Sequence, residues 1–246
     1  MEIQGKLTKD KWGYTMPVSA PAYQRQPYFF KQARMLRFDY ETDKESAAEL
    51  IPEQFSVPDS PTAVVTFAEY PWSTVGPYRE AILGLNVKYK GQDINYMIQL
   101  ILSENMPIMG GREVYGYPKT MGVIEFVDQD GMMAAYVERP KGIRICSGVV
   151  RPELPGEAFP DRTPVEACAL RVIPSPEEGK DHSLVELIQS TMIFSNTEVW
   201  IGTGNCHFTG ASVLDPWHML PVVNNIAASY MVCDFELTGG KILETF

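Results

Sequence analysis

The residue with the strongest chemical signal in this sequence is Lys119, which directly follows a Gly-Tyr-Pro turn at positions 116–118. The segments on both sides of the turn are apolar, so we expect its amine to lie among low-dielectric groups with little room to move. Burial disfavours the ammonium form of a lysine, and a neutral amine can attack a carbonyl carbon. A single lysine is otherwise a solvated surface charge in most proteins. The residue pattern alone therefore leaves both roles open.

Few other positions carry a catalytic or ligand-binding pattern. His182, His207 and His218 are too scattered for a helical H-E-x-x-H zinc site, and the sequence contains no G-x-S-x-G nucleophile elbow. The segment at residues 202–207 begins like a dinucleotide fingerprint but has histidine where the third glycine belongs. Cys206 and His207 are adjacent, so in a strand they point to opposite faces, which favours a packed thiol. We expect no metal site and no cofactor.

Composition and charge restrict the class of protein. The chain has 246 residues, of which 45% are hydrophobic and 21% charged, as in folded globular proteins. Its formal charge of −10 disfavours nucleic-acid and membrane partners, because both present anionic surfaces. The N-terminus lacks a signal-peptide pattern, and no apolar stretch approaches the roughly 20 residues that cross a bilayer. The sequence predicts a cytoplasmic protein with one domain over residues 1–246.

The four cysteines form no C-x-x-C pair, which argues against zinc-ribbon and redox spacing. We therefore expect buried free thiols at Cys146, Cys168, Cys206 and Cys233.

Short strands joined by turns are the elements that would have to position Lys119. Residues 90–93 are a polar link with one glycine, which predicts a tight hairpin between the strands on either side. Alternating or β-branched and aromatic residues predict strands at 35–41, 62–70, 81–89, 94–103, 123–127, 132–138, 143–149, 167–173, 184–194, 198–201 and 227–237.

The predicted helices are few and short. Asp43 can cap a helix over residues 44–51, which Pro52 would end. A second helix is predicted over residues 108–115, after Pro107 and before the Gly-Tyr-Pro turn. Because strands and helices do not alternate regularly, the pattern predicts a mainly antiparallel sheet that closes or curls to protect its edges.

The stretch from Gly110 to Lys119 resembles the signature of the acetoacetate decarboxylase family. Lys119 falls on the family's lysine that forms a Schiff base with the keto substrate. Residues 25–30 resemble the family's Arg-x-Pro-Tyr-x-Phe start, and Glu80 in Tyr-Arg-Glu falls where family members carry their active-site acid. Residues 170–174 resemble the family's return strand. The resemblance extends from Arg25 to the C-terminus.

The resemblance implies a mainly β (α+β) fold, a cone-like antiparallel β-barrel with a few short helices, assembled into homo-oligomers. Lys119 would lie in its interior and form an imine with a small oxo-acid substrate. The cationic nitrogen of that imine would accept the electrons released when carbon dioxide leaves. Glu80 would be the proton-handling partner of the lysine, and Tyr117 would line the pocket and orient the amine.

Two positions depart from the family pattern. The reactive lysine of the decarboxylases is followed by a second lysine, a known means of activating an amine, whereas Thr120 follows here. Activation would then depend on desolvation unless Arg112 or Arg34 folds close to the amine. A gap-free match also puts Ala33 where the family presents an arginine for the substrate carboxylate. Arg34 is one place along, on the opposite face of a strand, and could bind the carboxylate only if the register shifts.

Three functions remain open from the sequence. The first is decarboxylation of a 3-oxo acid such as acetoacetate through an imine on Lys119. Some relatives with the same lysine act as aldolase-dehydratases or hydratases on pyruvate-derived 2-oxo acids, which is the second function. The third is a non-catalytic barrel that binds a small apolar or acidic ligand, and the loss of two expected cations favours it.

Overall fold

The computed structural model describes residues 2–246, in which one large sheet dominates. Its strands are β1 (Tyr28–Glu41), β2 (Phe55–Ser56), β3 (Thr62–Tyr70), β4 (Trp72–Ser73), β5 (Tyr78–Tyr89), β6 (Gln92–Leu102), β7 (Lys119–Met121), β8 (Val123–Gln129), β9 (Met132–Glu138), β10 (Arg144–Pro155), β11 (Thr163–Pro174), β12 (His182–Phe208), β13 (Asn224–Leu237) and β14 (Lys241–Thr245).

Helices make up a small part of the described chain. They are α1 (Lys44–Ala48) and α2 (Asn105–Gly110), with a π-helical turn at Gly111–Tyr115 and 3-10 turns at Lys9–Lys11 and Trp217–Met219. The mainly β fold with few short helices is thereby confirmed. Within residues 2–246 the structure has no helix with the length and apolar character needed to cross a membrane.

The sheet closes partly into a ring. Neighbouring strands follow the order β11–β6–β5–β3–β1–β13–β12, and β12 also pairs with β11, which brings the path back to its start. The closing contact between β11 and β6 is short and parallel, whereas the other pairs in this path are antiparallel. Beyond β12 the sheet continues through β10 and β9 to an open end at β8. The predicted curling of the sheet is confirmed, and the closure is partial.

Strand β12 belongs both to the ring, where it pairs with β13 and β11, and to the open extension, where it pairs with β10. The sequence predicts two strands here, 184–194 and 198–201, and that prediction is wrong because the strand runs without interruption from His182 to Phe208. A bulge lies between Ser195 and Glu198, where Asn196 has a φ of 51°. Asparagine tolerates this left-handed conformation, and a bulge bends a strand without ending it.

The turn and helix-cap residues in the sequence correctly predicted a hairpin and the start of a helix. The hairpin of β5 and β6 is confirmed, with Lys90 and Gly91 at positive φ in its turn. Asp43 caps α1, because its carboxylate accepts a hydrogen bond from the backbone N–H of Ser46 at 2.9 Å. The helix ends at Ala48, before the predicted end at residue 51.

Buried side chains form two clusters on opposite faces of the sheet. On β5, Ala81 and Leu83 belong to one cluster, whereas Tyr78 and Ile82 pack with the other. This alternation follows from the two-residue period of a strand. We call the second group the site-face cluster; its buried members are Tyr28, Phe30, Ala33, Met35, Ala68, Tyr70, Val75, Tyr78, Met97, Leu100, Leu102, Tyr115, Tyr117, Ala167, Ala169, Phe194, Cys233 and Phe235.

Candidate active site

The Gly-Tyr-Pro turn connects the π-helical turn to strand β7, which begins at Lys119. Gly116 ends the π-helical turn with a φ of 70°, a conformation that glycine adopts without strain. A Cβ at this position would also lie 2.5 Å from the Cα of Arg171. Lys119 then begins β7, which pairs in parallel with β6 at Leu100. The lysine therefore lies at the start of a short strand that is held by its pairing with β6 and by the turn before it.

Lys119 and Glu80 form a buried ion pair. The Nζ atom of Lys119 lies 3.1 Å from Oε1 of Glu80, and the two side chains are 7% and 4% exposed. Glu80 projects from β5 between Tyr78 and Ile82, so the two-residue alternation places it on the same face as the site-face cluster. The two residues that the sequence proposed as catalytic are thus brought into contact, out of bulk water.

A glycine makes room for the lysine side chain. A Cβ at Gly111 would lie 2.5 Å from Cδ and 2.6 Å from Cε of Lys119, so any larger residue would displace the lysine or the π-helical turn. The next residue, Arg112, donates a hydrogen bond from Nη1 to the backbone carbonyl of Lys119 at 3.1 Å. Arg112 therefore holds the backbone of the lysine, a contact that sequence reasoning did not predict.

Tyr117 forms an aromatic wall beside the amine. The centre of its ring lies 5.4 Å from Nζ of Lys119, and the ring stacks on Tyr115 with centroids 5.4 Å apart. Its hydroxyl hydrogen-bonds to Oγ of Ser190, which itself donates to the carbonyl of Ala167 at 3.3 Å. Burial raises the pKa of Tyr117 above its ordinary value near 10, which keeps the phenol protonated.

Glu80 has a second buried partner, Tyr70, whose hydroxyl donates to Oε2 at 3.2 Å. Burial is the main cause that raises the pKa of Tyr70 well above 10, and the charge of Glu80 adds to it. Sequence reasoning missed both Tyr70 and Ser190. Each contact joins segments that neither spacing nor a motif relates.

Charge is sparse around this pair. Among residues 2–246, Lys119 is the one buried lysine or arginine. The other buried carboxylates have partly exposed arginine partners: Glu186 pairs with Arg171, and Asp215 pairs with Arg139. The site-face cluster around the pair is apolar or aromatic, and within it Phe30 and Phe235 stack with centroids 4.1 Å apart.

The structure does not bring Arg34 to the lysine. Nη1 of Arg34 donates to Oε2 of Glu69 at 3.0 Å, Nη2 donates to Asp128, and Nε donates to the hydroxyl of Tyr230 at 3.4 Å. Its neighbour Ala33 is fully buried in the site-face cluster. A bulge does lie in β1 between Phe30 and Ala33, but Arg34 still pairs with Glu69 on the opposite face.

Thr120, at the place of the family's second lysine, follows Lys119 in β7 and so points to the other face of the strand. Its Oγ1 is buried and has no hydrogen-bond partner among the described residues.

The cysteines are confirmed as buried free thiols. Burial raises the pKa of Cys168, Cys206 and Cys233 to about 12, so these thiols stay protonated at neutral pH. Cys206 is buried whereas the adjacent His207 is exposed, which confirms that they face opposite sides of β12. They do not form a nucleophile–base pair.

Comparisons with known proteins place this geometry in a family. The model of acetoacetate decarboxylase (ADC) matches residues 15–245. The chain is 30% identical over 237 residues to Decarboxylase DEC1 of Cochliobolus heterostrophus, with 94% of each chain covered. It is 26% identical over 245 residues to the acetoacetate decarboxylase of Ralstonia nicotianae, with 96% of each chain covered.

Solved structures share the fold. An acetoacetate decarboxylase from Legionella pneumophila superposes with a TM-score of 0.82 at 22% identity, over 100% of this chain and 98% of that one. The enduracididine biosynthesis enzyme MppR, complexed with pyruvate, has a TM-score of 0.75 at 18% identity, over 94% of this chain and 97% of that one. The family match and the curated relatives support an enzyme that is a decarboxylase or a related lyase. The chain belongs to the acetoacetate decarboxylase family.

Proposed function

We propose that the protein is a Schiff-base-forming lyase that decarboxylates a small 3-oxo acid, with acetoacetate as the nearest named substrate. The observation that carries this proposal is the buried contact of 3.1 Å between the amine of Lys119 and the carboxylate of Glu80. Membership of a family whose relatives are named acetoacetate decarboxylases supports the substrate class.

The pair can carry out imine formation while staying neutral overall. Nζ of Lys119 first passes a proton to Oε1 of Glu80 and becomes a nucleophilic amine. The amine attacks the carbonyl carbon of the substrate to give a carbinolamine. The protonated Glu80 then returns its proton to the departing hydroxyl, so that water leaves and a cationic imine remains beside a carboxylate.

Decarboxylation follows from the charge of the imine. The electrons of the bond between the carboxylate carbon and its neighbour move to the cationic nitrogen, which gives carbon dioxide and a neutral enamine. A proton from water then adds to the enamine carbon, and hydrolysis of the new imine releases the ketone and restores Lys119. Each turnover thus converts one 3-oxo acid anion and one proton into a ketone and carbon dioxide.

Tyr117 and Ser190 would limit the directions from which a substrate reaches the amine. The ring of Tyr117 forms one side of the space around Nζ, and its hydroxyl is held by Ser190. We do not assign the substrate carboxylate to Arg34, because its guanidinium donates to three groups on the opposite face of β1.

The second candidate is aldol condensation, dehydration or hydration of a pyruvate-derived 2-oxo acid through the same imine. The observation that favours it is the fold shared with MppR, which has been solved with pyruvate and with the condensation product of pyruvate and imidazole 4-carboxaldehyde. Such chemistry keeps the substrate carboxylate through the whole cycle. A scarcity of buried cations near Lys119 counts against it, because a buried carboxylate needs a partner.

Product analysis separates these functions. The purified protein is incubated with acetoacetate, and separately with pyruvate plus an aldehyde, with the Lys119→Met variant as the matched control for each. We expect carbon dioxide and acetone from the first incubation and no product from the variant. An unsaturated 2-oxo acid from the second incubation alone would establish the second candidate. Binding of either acid without any product would support the non-catalytic barrel and overturn the proposal.

A further inference from the structure

The two oxygens of the Glu80 carboxylate have different surroundings. Oε2 accepts a hydrogen bond from the hydroxyl of Tyr70 at 3.2 Å. Oε1 lies 3.1 Å from Nζ of Lys119 but accepts no hydrogen bond of good geometry from any described residue. One oxygen is thus anchored by a neutral donor, while the other is buried and faces the amine at 3.1 Å.

Packing holds Tyr70 in the position from which it donates. It is the last residue of β3 and pairs with Tyr78 of β5. Its ring centre lies 4.6 Å from that of Tyr78, 5.0 Å from that of Phe30 and 5.8 Å from that of Phe235. These aromatic contacts leave the phenol few alternative orientations.

The hydroxyl of Tyr70 stays protonated throughout the working pH range. Burial, followed by the charge of Glu80, raises the pKa of Tyr70 well above 10. The titratable groups that face Glu80 are Lys119 from β7, Tyr70 from β3, Tyr78 from its own strand and Tyr117 from the turn. Of these, Tyr70 is the one that donates a hydrogen bond to the carboxylate.

We propose that Tyr70 is a positioning residue for the imine chemistry, because it anchors Oε2 of Glu80 and leaves Oε1 as the oxygen that exchanges a proton with Lys119. This inference rests on the proposed function insofar as Glu80 moves protons. Without the hydroxyl, the carboxylate can rotate about its last side-chain bond, and its charged form loses a donor that stabilises it. Proton exchange with the amine then becomes slower, most of all in mildly acidic solution.

The test measures the rate of imine formation against pH. Wild type, Tyr70→Phe and Tyr78→Phe are mixed with acetoacetate and quenched with borohydride at timed intervals. We expect Tyr70→Phe to slow trapping about tenfold and to move the acidic limb of the rate profile to higher pH, as loss of a charge-assisted hydrogen bond predicts. Tyr78→Phe removes a hydroxyl from the same cluster without removing a hydrogen bond to Glu80, so its effect is expected to stay within about twofold. Coincident profiles for the two variants would overturn the inference.

A double-mutant cycle separates positioning from general damage to the fold. In a Glu80→Gln background, Tyr70→Phe is expected to cause no further loss of trapping rate, because the group on which it acts has been changed. An equal loss in both backgrounds would mean that Tyr70 only supports the fold.

A readout that needs no turnover distinguishes failure of this inference from failure of the proposed function. The protein is labelled with carboxyl-13C glutamate, and the Glu80 signal is assigned from its loss in Glu80→Gln. We expect the carboxyl signal of Glu80 at neutral pH to move in Tyr70→Phe, because its Oε2 loses a hydrogen bond, and to stay in place in Tyr78→Phe. An unmoved signal in Tyr70→Phe would overturn the role of Tyr70, whereas a moved signal in a protein that traps no oxo acid would overturn the proposed function alone.

Discussion

Neighbouring residues on the same strands build two very different carboxylate sites. On one face, Glu69 receives Nε of Arg79 at 2.9 Å on Oε1 and Nη1 of Arg34 at 3.0 Å on Oε2. Arg79 also donates to Glu125 at 2.6 Å. On the other face, Glu80 meets one amine and one phenol. The first carboxylate is partly exposed and held by two guanidinium groups, whereas the second is buried between a phenol on Oε2 and an amine 3.1 Å from Oε1.

The two sites differ in whether the cation beside the carboxylate can give up a proton. Guanidinium groups do not lose a proton in proteins, so the network around Glu69 is a fixed set of charges. An ammonium group such as that of Lys119 can lose one. The same carboxylate chemistry therefore stabilises structure on one face of the sheet and permits proton transfer on the other.

The largest effect is expected from Lys119→Met. Turnover of the oxo acid should fall on the order of 10⁴-fold or more, because no other group replaces the nucleophile. The variant also leaves the charge of Glu80 without its cationic partner in the interior, so the free energy of unfolding should fall by about 3–5 kcal/mol. Enzyme kinetics and urea unfolding measure the two losses. Retained turnover would show that the reaction does not pass through this amine.

The next largest effect is expected from Glu80→Gln. The amide keeps the shape of the side chain but cannot accept the proton of Lys119, so turnover should fall about 10²–10⁴-fold. Steady-state kinetics with the 3-oxo acid provide the measurement, with Glu69→Gln as the matched control from the opposite face. A loss as large in the control as in Glu80→Gln would remove the distinction between the two faces.

A smaller effect is expected from Arg34→Gln. The change removes ion pairs whose arginine side chain is 28% exposed, so the free energy of unfolding should fall by about 1 kcal/mol or less. Turnover should stay close to that of wild type, because Arg34 faces away from the buried pair. A tenfold rise in KM would instead return Arg34 to a role in binding the substrate carboxylate.

The smallest effect is expected when the folded protein is treated with a reagent that modifies thiols. The raised pKa of about 12 for Cys168, Cys206 and Cys233 predicts no reaction with a disulfide reagent at pH 8 until denaturant is added. An unfolded thiol has a pKa near 8.5, so the stability that these groups contribute is present below that pH and is lost as the pH rises towards 12. Rapid labelling of the folded protein would contradict this account of the core.

Local patterning in the sequence predicted much of the fold. Strands at 62–70 and 132–138 were predicted at their observed bounds; the first follows from its β-branched and aromatic residues, which favour strands. The continuity of β12 could not be predicted, because Asn196 interrupts the pattern while hydrogen bonding resumes beyond it. The pairing of β11 with β6 joins distant segments through four residues, which leaves no local signal.

The candidate site was predictable to a lesser degree. Lys119 could be selected from its turn and its apolar flanks, and Glu80 from the family resemblance alone. Tyr70 and Ser190 follow only from tertiary contacts between strands. The homo-oligomer and the cytoplasmic location remain predictions, which size-exclusion chromatography and localisation of a tagged chain can test.

The most direct test of the account is to find which nitrogen forms the imine. The protein is incubated with acetoacetate, reduced with borohydride, digested and mapped by mass spectrometry. The account predicts one reduced adduct, on Lys119, which is absent from Lys119→Met. An adduct on a different lysine, or no adduct with any small oxo acid, would contradict it.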